Sequence, residues 1–139
     1  MFERIRTIVS ALSRGDEGER MARRFLCAKP GWCLVARNWR NPRDLREELD
    51  LVMRDREVLV FVEVKARSPH ARVPGYYAVN RRKQAALRRA IKAYVAVLRE
   101  KPRTVRFDVV EVTLPLARGG KPVVLHFENI PLLGPGWWA

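Results

Sequence analysis

A continuously apolar run that ends in an acid and a base constrains this chain more than any other feature. Leu59 to Val62 are all apolar, which is typical of a strand covered on both faces. Glu63-Val64-Lys65 follows directly, and alternation along a strand places Glu63 and Lys65 on the same face. Charges at the end of such a strand are costly to desolvate unless they pair or bind a cation. The run therefore predicts either a functional site or a structural ion pair.

Asp50 lies on the preceding predicted strand, residues 49–53, which a polar turn at residues 54–57 folds back onto residues 58–64. Two registers keep it on the face of Glu63. A turn centred on residues 55–56 places Glu48 opposite Glu63 and Asp50 diagonal to it. A turn centred on residues 56–57 places Asp50 directly opposite Glu63. In both registers the two carboxylates are close enough to share a cation.

These residue types indicate metal-assisted phosphodiester chemistry. We expect Asp50 and Glu63, with the carbonyl of Val64, to hold Mg²⁺ or Mn²⁺, because Mg²⁺ prefers one or two carboxylates together with water and phosphate oxygens. We expect Lys65 to orient the attacking water or to offset charge on the phosphate. The residues alone leave open the alternative that Lys65 only forms an ion pair with Glu63 or Asp50.

The hydrophobic periodicity predicts one α/β domain over residues 1–130, followed by a loose tail over residues 131–139. A helix between the third and fourth strands allows a parallel crossover, so the central sheet should be mixed. Loops are expected at residues 41–46 and 68–79. The predicted helices cover residues 2–13, 16–29 and 81–100, the last capped by Asn80, and the strands cover residues 33–39, 49–53, 58–64, 105–114 and 123–127.

The charge balance favours a partner that carries phosphate. Twenty-eight Lys and Arg residues face fifteen Asp and Glu residues, a net charge of +13, and each neutralised phosphate releases counterions. Cations in the first turn of the helix at residues 81–100 are disfavoured there unless an anion meets them. For Arg88, Arg89 and Lys92 a solvated basic face is an equal alternative. The predicted nucleic-acid contacts are Arg67, Arg72, Arg81, Arg82, Lys83 and Arg88.

The other composition features narrow the classes of protein. Cys27 and Cys33 have no nearby His to complete a metal set, which disfavours a zinc site. No apolar run approaches the ~20 residues that a membrane span needs. The first 14 residues show no signal-peptide pattern, so we expect the chain in the cytoplasm.

Six motifs in a fixed order carry a family resemblance, over about residues 15–129. The chain resembles the YraN-like bacterial proteins, an endonuclease-like family. It is more distantly similar to the archaeal Holliday junction resolvases of the PD-(D/E)XK superfamily. The motifs are Gly18-Glu19, Arg37-Asn38-Trp39-Arg40, Glu48-Leu49-Asp50-Leu51-Val52, Phe61-Val62-Glu63-Val64-Lys65-Ala66-Arg67, Ala78-Val79 with Lys83-Gln84, and Arg106-Phe107-Asp108-Val109-Val110.

The resemblance implies a restriction-endonuclease-like three-layer sandwich, with helices on both sides of a mixed sheet. It implies a metal-dependent DNA endonuclease, acting on branched or structured DNA, with a homodimer as one arrangement. It also implies that Glu19 joins the acidic cluster, whereas the residues alone equally fit a capping box between Asp16 and Glu19. Two departures are Glu47, where the family usually has Gly, and a longer segment at residues 41–46. The alternative function is a catalytically silent nucleic-acid-binding module of the same fold.

Overall fold

The residues that the structure describes form one five-stranded sheet with two helices. The computed structural model describes residues 16–67, 69 and 79–133, so the predicted helix at residues 2–13 lies outside the described residues. Helix α1 covers residues 16–27 of the described part. The other elements are β1 (Trp32–Asn41), β2 (Asp44–Asp55), β3 (Val58–Arg67), α2 (Arg81–Ala96), β4 (Thr104–Thr113) and β5 (Val123–Phe127).

The strands lie side by side in chain order, and the sheet is mixed. β1 pairs antiparallel with β2, and β2 pairs antiparallel with β3. β3 and β4 are parallel, with α2 in the crossover between them, and β5 closes the sheet antiparallel to β4. The prediction of a mixed α/β sandwich compatible with the restriction-endonuclease-like fold is therefore confirmed.

The two helices cover opposite faces of the sheet because each buries an apolar stripe. Ala22 and Leu26 of α1 pack with Val62 and other apolar residues of one face. Leu87, Ala90, Ile91, Tyr94 and Val95 of α2 pack on the other face, around Phe61. Val62 and Phe61 are adjacent in β3 and belong to different cores, which gives three layers: α1, sheet and α2.

Gly18 allows α1 to approach the end of β3 closely. A Cβ atom on Gly18 would lie 3.2 Å from the Cβ atom of Ala66, closer than most carbon contacts. Since Ala66 follows Lys65 directly, this contact places the start of α1 behind the strand segment that carries Glu63 and Lys65, on the opposite face of the sheet.

The β1–β2 hairpin is longer than predicted, and the loop expected at residues 41–46 is wrong. Only Pro42 and Arg43 form the turn, and the strands continue to Asn41 and from Asp44. Polar side chains satisfy the backbone there: Asn41 Oδ1 accepts from the Arg43 N–H at 3.1 Å, and Asp44 Oδ1 accepts from the Arg46 N–H at 3.1 Å. A polar sequence can therefore hold an extended strand pair.

The ends of the second helix and of the domain also differ from prediction. Asn80 caps α2 as expected, but the helix ends at Ala96 rather than near residue 100. Lys101 Nζ donates to the carbonyls of Val95, Ala96 and Leu98, which satisfies the last turn. Leu132, within the segment predicted to be a loose tail, is buried in the core beneath α2. The rest of that tail, residues 134–139, lies outside the described residues.

The pleat of the β1–β2 hairpin shifts by one residue next to Asp50. Leu49 and Val52 are three residues apart, yet both belong to the core beneath α2. Asn38 has a φ of 51° and lies opposite Asp50, since its neighbours Arg37 and Trp39 pair with Leu51 and Leu49. A residue with positive φ inside a strand is the local irregularity that allows such a change of facing.

Candidate active site

The register of β2 against β3 places Asp50 directly opposite Glu63. Pairing runs from Asp55↔Val58 to Leu51↔Val62, and one further step joins Asp50 to Glu63. This is the register with the turn at residues 56–57, so the second of the two predicted pairings is confirmed and Glu48 does not oppose Glu63. Beyond Leu51 the Asp50 carboxylate accepts the N–H of Val64 at 2.9 Å.

Glu63 lies at the centre of a cluster of charges on the α2 face of the sheet. Its side chain is only 4% exposed, and Lys65 Nζ and Lys83 Nζ each lie 3.5 Å from its Oε1 atom. Lys65 comes from the same strand, two residues on. Lys83 comes from the first turn of α2, where its backbone N–H donates to the Asn80 cap at 2.9 Å. The structure thus brings Lys83 to the predicted acidic pair.

The two carboxyl groups strongly influence each other. Burial raises the pKa of Asp50 from its ordinary value of 3.8 to about 8, and the neighbouring Glu63 charge and a hydrogen bond between the two groups add to this. The Val64 N–H and Lys83 oppose the rise. Glu63 Oε2 is buried and has no hydrogen-bond partner among the described residues. The two acids therefore lie in contact, and one buried oxygen of the pair meets no donor among the described residues.

These residues fit a small, hard divalent cation. Carboxylate and carbonyl oxygens are the donors that Mg²⁺ takes, and it retains several waters when only one or two carboxylates are present. Asp50 and Glu63 supply the carboxylates, and Val64 lies between Glu63 and Lys65 with its carbonyl available as a third oxygen. In the part of the chain that is described, no group of three or more His, Cys, Asp or Glu side chains converges. The donor set thus suits Mg²⁺ or Mn²⁺ better than zinc.

Glu19 has its strongest interactions with a different group of residues. Burial raises its pKa, the nearby Glu48 charge raises it further, and a hydrogen bond with Asn38 lowers it. It lines a hollow of about 480 Å³ on α1 and β1 together with Arg37 and Asn38. Asp16 is already part of helix α1, so it does not take the predicted capping position. The structure places Glu19 beside Glu48, two residues from Asp50, and its role in the acidic cluster stays a prediction.

The predicted nucleic-acid contacts divide into two groups. Arg81, Arg82 and Arg88 are exposed on α2. Arg67 is largely buried, and its Nε lies 3.7 Å from Glu111 Oε1. Arg72 lies outside the described residues. The exposed arginines of α2 are thus available to an anion, whereas Arg67 is held within the sheet.

Glu111 is a residue near the site that the sequence patterns did not single out. It pairs with Lys65 across the parallel β3–β4 register, is buried, and contacts Arg67. The signal that marks it is an acid between apolar neighbours, since Glu111 interrupts the run from Val109 to Val112. The parallel register that brings it beside Lys65 depends on the crossover length and is not evident from β4 alone.

A second buried polar network lies on the α1 face of β4 and β5. Asp108 is fully buried and accepts from Arg106 Nε at 2.8 Å and from the Asn129 N–H at 2.9 Å. His126 of β5 contributes as well, because its Nε2 atom lies 2.7 Å from Asp108 Oδ2. This network ties the end of β5 to β4 and is separate from the Asp50–Glu63 pair.

Fold and site together define the class. The chain is a mixed α/β sandwich of the restriction-endonuclease-like type, with an acidic pair and a lysine at the end of a central strand. The model for the uncharacterised protein family UPF0102 matches residues 18–112, and the chain belongs to that family. The predicted membership of the YraN-like group is confirmed.

Individual relatives agree with this assignment. A UPF0102 protein of Beutenbergia cavernae is 46% identical over 116 residues, which cover 84% of this chain and 93% of the relative. UPF0102 protein CT2262 of Chlorobaculum tepidum is 42% identical over 98 residues, 70% of this chain and 73% of the relative. A UPF0102 protein of Nocardioides sp. is 39% identical over 116 residues, 84% and 89% of the two chains. Within the described residues no helix is long and apolar enough to cross a membrane.

Proposed function

We propose that this protein is a metal-dependent DNA endonuclease that hydrolyses phosphodiester bonds, with branched or structured DNA as its substrate. The observation that supports this most directly is the contact between Asp50 and Glu63, opposite each other on β2 and β3, with Lys65 Nζ 3.5 Å from Glu63. An apolar strand end has no structural need for two acids in contact, because a single ion pair would be less costly to bury.

Each residue has a distinct part in the proposed reaction. Bound Mg²⁺ or Mn²⁺ supplies Lewis acidity and lowers the pKa of water at the site. Asp50 and Glu63 would supply the carboxylate oxygens that hold the metal ion, and the Val64 N–H fixes the Asp50 carboxylate. Lys65 lies where it can hold the attacking water and offset charge on the phosphate. Lys83, at the start of α2, lies where it can bind the non-scissile oxygens of the same phosphate.

The charge of the chain supports nucleic acid as the substrate. A net charge of +13 attracts polyanions, and Arg81 and Arg82 are exposed beside Lys83 at the positive end of α2. DNA rather than RNA is chosen because the family resemblance extends to DNA junction resolvases, which cut branched duplexes.

The decisive experiment is a cleavage assay with purified protein on matched four-way, flapped and linear DNA, with Mn²⁺, Mg²⁺ or EDTA. We expect nicking that depends on Mn²⁺ and that is lost in Asp50→Asn and in Glu63→Gln. Glu19→Gln tests whether Glu19 is the third acid of the site. Asp44→Asn, at a half-buried aspartate of the same strand, is the matched control. Cleavage that persists in Asp50→Asn would show a contaminating nuclease and refute the assignment.

One observation favours a second candidate, a silent nucleic-acid-binding module. Lys65 and Lys83 both contact Glu63 Oε1, so two ammonium groups already offset its charge without a metal ion. Such a module would bind DNA equally well in EDTA and Mg²⁺ and would be unaffected by Glu63→Gln. Isothermal titration of Mn²⁺ into the protein separates the two candidates, since only the nuclease needs a site that Asp50→Asn abolishes.

A further inference from the structure

The tip of the β1–β2 hairpin and the outer face of α2 enclose a groove rich in cations. Arg43, Glu47, Arg89 and Lys92 line a hollow of about 560 Å³ between the two elements. A second hollow of about 380 Å³ shares Arg89 and Lys92 and adds Arg88. We propose that this arm–helix groove, formed by Arg43, Arg88, Arg89 and Lys92, binds the phosphate backbone of double-stranded nucleic acid at a distance from the acidic pair.

An ion pair between the buried Glu47 and the exposed Arg89 fixes the hairpin to the helix. Glu47 is 6% exposed, and its two carboxylate oxygens accept from Asn41 Nδ2 and from Arg89 Nε. We call this contact the Glu47–Arg89 lock. Arg89 therefore acts as a positioning residue, and it keeps Arg43 of the turn on the same groove as Lys92.

The other three cations of the groove remain available to an anion. Arg43, Arg88 and Lys92 are exposed, and no ion pair engages them among the residues that the structure describes. Arg88 Nη1 makes only a long contact, 3.5 Å, to the Leu132 carbonyl. Among the described residues that line the two hollows, the acid is Glu47, which is buried and doubly paired. The groove thus presents positive charge, as phosphate-binding surfaces do.

The groove lies on the helix whose first turn carries Lys83, and Lys83 contacts Glu63 of the acidic pair. Lys92 is nine residues further along α2, a rise of about 13.5 Å along the helix axis at 1.5 Å per residue. Resting on the proposed function, the groove would bind the duplex at a distance from the phosphate under attack.

The test compares two triple variants with the same change in net charge. The groove variant combines Arg43→Gln, Arg88→Gln and Lys92→Gln. It removes three positive charges from the groove and keeps the Glu47–Arg89 lock. Arg99→Gln with Arg103→Gln and Lys121→Gln removes three exposed cations elsewhere. Fluorescence anisotropy with a 30-base-pair DNA duplex, an RNA duplex of the same sequence and single-stranded DNA, all in EDTA and at four KCl concentrations, gives the dissociation constants and salt slopes.

We expect the groove variant to bind duplex on the order of tenfold more weakly and to lose about two to three units of salt slope, at ~0.9 per phosphate contact. The control variant should lose less than one unit. Equal losses of affinity and salt slope in both variants would overturn the proposal. The measurement with the RNA duplex decides which duplex the groove accepts. A loss of affinity confined to single-stranded DNA would also overturn the proposal.

The same variants separate the groove from the chemistry. In single-turnover cleavage the groove variant should need more protein than the wild type to reach its half-maximal rate, because its defect lies in binding. If no variant and no wild-type protein cleaves, the groove still stands on the EDTA binding data, because that measurement needs no metal. Glu47→Gln should weaken duplex binding, as the groove variant does, although it changes no charge on the groove cations. If Glu47→Gln binds duplex as tightly as the wild type, the Glu47–Arg89 lock has no positioning role.

Discussion

The Asp50 carboxylate of β2 accepts the backbone N–H of Val64 of β3 at 2.9 Å. The regular β2–β3 pairing ends one residue earlier, at Leu51↔Val62, so a side chain continues the ladder where the backbone stops. The bond fixes the carboxylate of one strand against the neighbour of Glu63 on the other. It therefore sets the geometry of the acidic pair.

Asp50→Asn should abolish cleavage and preserve the fold. The amide oxygen of Asn can still accept the Val64 N–H, so the strand geometry is kept while the charge is lost. A direct ligand should cost more than the ~10–100-fold in metal affinity or activity that loss of an outer-shell partner costs. Titration calorimetry with Mn²⁺ and the nicking assay measure the two losses. Unfolding in Asp50→Asn but not in Asp44→Asn would instead assign Asp50 a purely structural role.

The metal-free protein should lose stability as pH rises from about 4 to about 8. Asp50 has an ordinary pKa of 3.8 and a folded-state pKa of about 8, raised by burial and by Glu63. Between these values the folded state holds a proton that the unfolded state has released, so unfolding becomes easier as pH increases. Mn²⁺ should consequently raise the melting temperature more at pH 8 than at pH 5.5. Scanning fluorimetry with Asp50→Asn as the control checks this, and an equal effect at both pH values would contradict it.

Substitution of Lys65 and substitution of Lys83 should have different effects on cleavage, although both lysines contact Glu63. Lys65→Met should lower the cleavage rate by ~10²–10⁴, the range for a group that assists proton transfer. Lys83→Met should mainly weaken substrate binding. Both changes should tighten Mn²⁺ binding, because each removes a cation 3.5 Å from a carboxylate that the metal needs. Weaker Mn²⁺ binding in either variant would indicate that the lysine shapes the site, and Lys121→Met controls for charge alone.

Asp108→Asn should destabilise the fold by about 3–5 kcal/mol, as expected when one partner of a buried ion pair is removed. Asp108 is fully buried. Burial alone would raise its pKa, but bonds from His126, Arg106 and Asn129 outweigh it and hold the pKa below the ordinary value. Its contribution is therefore complete above about pH 4 and is lost as pH falls through the lower, folded-state pKa. Urea unfolding at pH 7 and pH 3 should show the difference shrinking, with the partly exposed Asp55→Asn changing far less.

The sequence predicted the strand that carries the site because its signal is local. The apolar run and the Glu63-Val64-Lys65 alternation depend only on residues within one strand, and β3 forms where they indicate. The Asn80 cap and the mixed sheet follow from similarly local rules. The prediction of a loop at residues 41–46 was wrong because the side chains of Asn41 and Asp44 accept hydrogen bonds from the extended backbone. Hydropathy does not reveal such bonds.

The sequence by itself determined the residues of the acidic pair, their common face and the positive charge around them. Only the tertiary structure decided between the two hairpin registers, joined Lys83 to Glu63, set Glu111 beside Lys65 and placed Glu19 with Asn38 and Glu48. The physical reason is that a register or a helix–strand contact depends on packing between segments distant in the chain, where both predicted registers satisfied the same alternation. Likewise, Glu47 and Arg89 are 42 residues apart, so the lock that shapes the arm–helix groove arises only once α2 packs against the hairpin.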